Sequence, residues 1–167
     1  MIELASNGRI GDGAASQGVD PKGIKYPAVS SCITITCVNA NGLAGIHLFR
    51  GNTQADTDTD LTAFAQLAGT ATAVYLVGMI TSGMWTTVNV RNRTGYAYDN
   101  PANGGTLVAK IRAVLNNYVG NVYVYDTSNL AGSVDLSAGL NQGAVSFFWA
   151  GGDNVGVIAN ANCTVLP

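Results

Sequence analysis

Charge is what this chain has least of. Asp, Glu, Lys and Arg make up 11% of its 167 residues, against about 25% in an ordinary soluble domain. The eight basic residues are scattered, so no run of them could neutralise a series of phosphates, and nucleic-acid binding is not expected. Long apolar runs are missing too. The longest, 73–80 (AVYLVGMI), falls far short of the roughly 20 residues that a membrane helix needs. Glu3 and Arg9 interrupt any apolar stretch at the N-terminus and no basic region precedes one, so synthesis in the cytoplasm without a cleaved signal is expected.

Histidine occurs once and cysteine three times, as Cys32, Cys37 and Cys163. An odd thiol count without a secretory signal argues against a disulfide scaffold. Cys32 and Cys37 are five apart in an expected strand and so point to opposite faces, a geometry that disfavours a bridge between them. One histidine and no C-x-x-C pair cannot build a conventional zinc site, so no metal and no cofactor are expected. Glycine-rich phosphate loops, a G-x-S-x-G elbow and an H-E-x-x-H helix are all missing. Asp56, Asp58 and Asp60 stand at the start of an expected helix and read as its solvated first turn.

Asn, Thr, Ser and 21 Gly supply the polarity, while 47% of the chain is hydrophobic. That mixture favours strands and tight turns around a real core. Segment 33–38 (ITITCV) alternates strictly, 39–42 (NANG) is turn chemistry, and 45–49 (GIHLF) returns, which together predict a hairpin. Strands are further expected at 2–5, 73–80, 85–90, 122–126, 144–150 and 155–159, with surface loops over 8–23 and 91–105. One helix follows the three aspartates and ends at Gly69. A second is expected to be capped by Thr106, with Leu107, Ile111, Val114, Leu115 and Tyr118 on one face and Gly120 as its stop. About eight strands and two helices predict one α+β domain over 1–167, a mostly antiparallel β-sandwich flanked by two main helices.

His47 is the side chain whose ordinary pKa suits proton transfer near neutral pH, and a thiolate is the nucleophile it can activate. Hairpin register decides which thiol. A two-residue turn at 41–42 would set His47 opposite Thr36, out of reach of Cys32. A loop over 39–42 sets it opposite Thr34, with Cys32 as diagonal neighbour on the same face, backbones about 7–8 Å apart. Cys37 has the wrong parity. Cys32 and His47 are therefore the expected catalytic dyad, and Cys37 and Cys163 are expected to be structural.

The stretch VSSCITITCVNANGLAGIHLFRGNT, residues 29–53, resembles the catalytic hairpin of glutamine deamidase toxins of the cytotoxic necrotizing factor type. It is similar also to the Burkholderia lethal factor type and, more remotely, to the chemoreceptor glutamine deamidase CheD. The shared pattern is a small residue, a Cys, a Thr/Ile/Val strand, a turn, and a His on the next strand; here these are Ser31-Cys32, 33–36 and His47. Two departures stand out. Ser31 takes the place of a common Gly, and Tyr26 takes the place of a Thr that in some members orients the His. The resemblance implies a protein-glutamine deamidase, a toxin or effector of bacterial origin acting in host cytosol. Its partner would be a target protein with a reactive glutamine, such as a host GTPase or translation factor. The Tyr26 backbone carbonyl, or a polar group of the N-terminal segment, is the expected acceptor for the imidazole N–H. A chemoreceptor-type deamidase, another Cys-His amidase or transglutaminase, and a non-enzymatic β-sandwich binding module are the competing expectations.

Overall fold

The computed structural model describes residues 1–4 and 17–167. In chain order these form β1 (Ile2–Glu3), β2 (Gln17–Asp20), β3 (Gly23–Val29), β4 (Cys32–Asn39), β5 (Gly42–Phe49), α1 (Gln54–Ala68), β6 (Ala73–Gly78), α2 (Gly105–Val114), β7 (Val122–Asp126), β8 (Val134–Asn141), β9 (Ala144–Gly151), β10 (Asn154–Ile158) and β11 (Thr164–Leu166). The class is α+β, mostly strands in two mixed sheets with two helices. One sheet runs β1-β3-β8-β9-β10 and the other β11-β7-β6-β4-β5-β2. The pairs β1/β3 and β6/β7 are parallel, and the other ladders among the described residues are antiparallel.

The hairpin β4–β5 lies inside the six-stranded sheet and is buried on both faces. Ile33, Ile35 and Cys37 of β4, with Ala44, Ile46 and Leu48 of β5, pack under Leu61 and Phe64 of α1 and Leu107 and Ile111 of α2. Cys32, Val38 and Leu43 on the opposite face share a second core with Ile24, Tyr26, Leu136 and Phe147 of the five-stranded sheet. Period-2 alternation sends each set to its own face. Thr34 and Thr36 go with the second set, so their hydroxyls need partners once buried. Thr34 Oγ1 donates to Val77 O at 2.8 Å, and Thr36 Oγ1 shares a 2.7 Å hydrogen bond with the Tyr26 hydroxyl.

Several elements differ from the sequence expectation, each for a local reason. No strand forms over 85–90. Asn side chains there bond nearby backbone instead, with Asn89 Oδ1 accepting from the Arg91 and Asn92 amides and Asn92 Nδ2 donating to Thr87 O. Such Asx turns compete with ladder formation. The helix α1 starts earlier than the aspartates suggest, because Thr53 is its N-cap and accepts from the Asp56 amide. Asp60 is consequently buried rather than solvated, 3.5 Å from Asn52 Nδ2, and Asp58 pairs with Lys110 at 2.8 Å. Thr106 does not cap α2; Gly104 holds that position, and Thr106 Oγ1 accepts from the Ala97 amide. The helix stops before Tyr118 because Asn116 and Asn117 take left-handed backbone. Strand β8 was hidden by outward Asp135, Ser137 and Gly139, which thin its apolar pattern. Of the loop expected over 8–23, residues 8–16 lie outside the described residues, as does Ala5 of the expected first strand; 17–20 is strand.

The two sheets approach each other closely at Gly45. A Cβ there would stand 2.2 Å from the Tyr26 hydroxyl and 2.7 Å from Ile24 Cδ1, so the position has no room for a methyl group. Gly45→Ala is expected to destabilise the fold by about 1–3 kcal/mol. Urea denaturation checks this; an unchanged midpoint would show that the two faces can part at no cost.

Candidate active site

Cys32 opens β4 and His47 lies near the end of β5. The two strands pair Asn39 with Gly42, Thr34 with His47 and Cys32 with Phe49. The turn therefore uses two residues, Ala40 and Asn41, and gives the same register as the loop over 39–42. Asn39 Oδ1 accepts from the Asn41 amide at 2.8 Å, and Gly42 takes a positive φ of 121°, a conformation suited to glycine. Thr34, Cys32 and His47 share the face turned towards the five-stranded sheet. Cys37 lies on the other face against the helices, where burial pushes its thiol up to about 12. Cys163 lies outside the hairpin, partly exposed, and burial raises its thiol as well.

His47 is fully buried. Its Nδ1 lies 2.9 Å from Leu4 O. A carbonyl can only accept, so Nδ1 carries the proton in that contact. Leu4 is placed by the parallel β1/β3 ladder, its own amide donating to Lys25 O at 2.7 Å. The acceptor is thus a carbonyl of the N-terminal segment and not that of Tyr26. Tyr26 sits mid-strand, paired with Leu136, and meets the imidazole through its ring, edge-on at 88° with centroids 6.0 Å apart. Leu4 was not legible beforehand, because any residue type offers the same carbonyl.

Burial lowers the pKa of His47, partly offset by the bond to Leu4, because a low-dielectric setting disfavours the imidazolium. At neutral pH the ring is therefore neutral, with its hydrogen on Nδ1 and a lone pair on Nε2. That Nε2 is buried and has no hydrogen-bond partner. A buried, unpaired polar atom costs about 1–3 kcal/mol, so a fold that keeps one calls for an explanation. The unpaired state of Nε2 also means that the thiol–imidazole hydrogen bond expected for the dyad is not made in this structure. Catalytic hydrogen bonds are often long without substrate and tighten on binding. The arrangement amounts to an oriented neutral base on the same sheet face as a thiol one diagonal step away.

The ends of β4 and β5 are held from outside the sheet. Met79 N donates to Cys32 O at 3.1 Å, and Trp85 Nε1 donates to Ser31 O at 2.9 Å. Arg50 Nη1 reaches Gly83 O at 2.8 Å. Among the described residues no group of three or more His, Cys, Asp or Glu side chains could hold a metal ion, and no helix is long and apolar enough to cross a membrane. The sequence matches no protein-family model and no curated protein.

The depressed pKa has a consequence for stability. A group whose folded pKa lies below its ordinary value of 6.5 contributes stability that is complete above 6.5 and lost as pH falls through the folded value. This is the one histidine of the chain, and carboxylates titrate near about 4, so the window from about pH 6.5 to 5 singles it out among the side chains. The wild-type urea midpoint is expected to fall across that window, and that of His47→Gln to stay nearly level. Parallel pH dependences in the two proteins would refute the assignment of a neutral buried base. Cys37→Ala is expected to leave Cys32 chemistry intact, measured as the Cys32 alkylation rate by peptide mapping.

Proposed function

We propose that this protein is a cysteine-dependent protein-glutamine deamidase, with Cys32 as nucleophile and His47 as base. The observation that carries the reading is the buried, unpartnered Nε2 of a neutral His47 beside Cys32 on one sheet face. The hairpin resemblance to the deamidase toxins and the two sheets, read as a sandwich with both helices packed on the six-stranded side, support it. In the first step Nε2 takes the thiol proton while sulfur attacks the carboxamide carbon of a substrate glutamine. Backbone N–H groups beside Cys32 stabilise the oxyanion. His47 then returns its proton to the leaving nitrogen, the C–N bond breaks, and ammonia departs from a Cys32 thioester. Water attacks that thioester, again giving a proton to Nε2. The C–S bond breaks, the thiol is restored, and glutamine has become glutamate. Leu4 O holds the imidazolium that forms in each half.

The target would be a folded host regulatory protein, such as a small GTPase or translation factor, reached by an effector delivered to host cytosol. A chemoreceptor is the alternative target for the same chemistry. A binding module without catalysis is favoured by one feature, the exposed apolar row of Phe148, Val155 and Val157 on β9 and β10.

The reading predicts glutamine-to-glutamate conversion in proteins of a host lysate, mapped by peptide mass. Cys32→Ser is expected to abolish it, and His47→Ala to slow it by about 10²–10⁴-fold, the range general-base catalysis contributes. Conversion that persists in Cys32→Ser, or none with wild type across host and bacterial lysates, would remove the deamidase assignment.

A further inference from the structure

The segment between β6 and α2 has no helix or strand, yet it buries the bulkiest side chain of the core, Trp85. Its placement is constrained from both sides. Trp85 N donates to Ile80 O at 2.9 Å, and Trp85 O accepts from Tyr98 N at 2.8 Å. Met84, just before it, has a φ of +64°, which a residue with a side chain holds only when its surroundings impose it. The indole N–H donates to Ser31 O at 2.9 Å, the carbonyl that directly precedes Cys32.

A trans peptide is a rigid plane. Holding Ser31 O therefore orients the Ser31–Cys32 plane, and holding Cys32 O, which accepts from Met79 N at 3.1 Å, orients the Cys32–Ile33 plane. The Cα of Cys32 joins these two planes. With both held, and Cys32 paired with Phe49 in the ladder, φ and ψ of Cys32 are constrained, and so is the direction of its Cα–Cβ bond. The same turn reaches the histidine strand, since Gly83 O accepts from Arg50 Nη1 at 2.8 Å, and Arg50 immediately follows β5. One turn thus grips the end of each strand that bears a member of the dyad.

We propose that Trp85 is a positioning residue: its indole N–H holds the Ser31–Cys32 peptide and, with the Met79 amide, sets the direction in which the Cys32 side chain leaves β4 on the face of His47. This deepens the deamidase reading and rests on it for the catalytic consequence alone. A displaced Cα–Cβ bond leaves a thiol that the base no longer reaches, and small misplacements cost large factors in rate.

Trp85→Phe keeps a buried ring and removes the donor. Cys32 alkylation by iodoacetamide is followed by peptide mapping in wild type and Trp85→Phe, each with and without His47→Gln. His47→Gln is expected to slow labelling about tenfold or more in the wild-type background and less than about twofold with Trp85→Phe, because an undirected thiol no longer feels the base. A folded Trp85→Phe protein that keeps the full His47 effect overturns the proposal. Should that variant not fold, Arg50→Met frees the same turn at Gly83 without touching the core; loss of the His47 effect supports the clamp, and its full retention overturns it. A through-hydrogen-bond coupling between Trp85 Nε1 and the Ser31 carbonyl carbon, measured by NMR, decides the contact independently. If His47→Gln has no effect even in wild type, the deamidase reading fails; the clamp then stands on that coupling and falls without it.

Discussion

The two-residue turn of the hairpin decides which sheet face each side chain of β4 and β5 takes. The pairing of Asn39 with Gly42 fixes the register, and a slip by one residue would exchange the two faces of a strand. Here that exchange would put Ile33, Ile35 and Cys37 against the five-stranded sheet and turn Cys32, Thr34 and Thr36 under the helices. The turn is anchored beyond its own geometry. Asn39 Nδ2 donates to Ala68 O at 2.8 Å, so a carbonyl of the last turn of α1 gains a partner while the hairpin gains a fixed point. Turn, helix end and core faces are thus consistent with one register.

From that register follows the unusual setting of the histidine. Placing His47 opposite Thr34 puts an imidazole between two sheets, where the charged form is disfavoured. The Leu4 carbonyl satisfies one nitrogen and leaves the other unpaired. Replacement by an apolar side chain would remove the unpaired nitrogen but leave the Leu4 carbonyl without its donor. In the proposed deamidase reading, the unpaired nitrogen is the base, held neutral and oriented before it meets substrate. In that reading the cost of the unpaired nitrogen is borne for the chemistry of the site.

The hairpin, its register and the opposite facing of Cys32 and Cys37 were legible in the sequence because period-2 patterning and turn residues are local signals. Helix α1 was legible for the same reason, although Thr53 rather than the aspartates begins it. The group that orients His47 was not legible. Leu4 acts through its backbone, 43 residues away along the chain, and no side-chain pattern marks a carbonyl. Trp85 was misplaced because the alternation over 85–90 imitates a strand while Asn89 and Asn92 spend their hydrogen bonds locally. Strand β8 was missed because Asp135, Ser137 and Gly139 dilute a core-facing row of Val134, Leu136 and Ala138. The Leu4 carbonyl is tertiary information, whereas the Asn89 and Asn92 turns and the thinned pattern of β8 are local signals that compete with the expected alternation.

The central claim is that Cys32 reacts because of His47, and reactivity can be separated from exposure in this chain. Cys163 is the most exposed of the three thiols, while Cys32 and Cys37 are buried. The most direct measurement is covalent capture by a peptide carrying a diazoketone analogue of glutamine, with the adduct located by mass. The account predicts one adduct, on Cys32, formed by wild type and not by His47→Gln. Labelling that favours Cys163, or that reaches Cys32 equally in both proteins, would mean that the thiol is not activated and that the site is not an enzyme's.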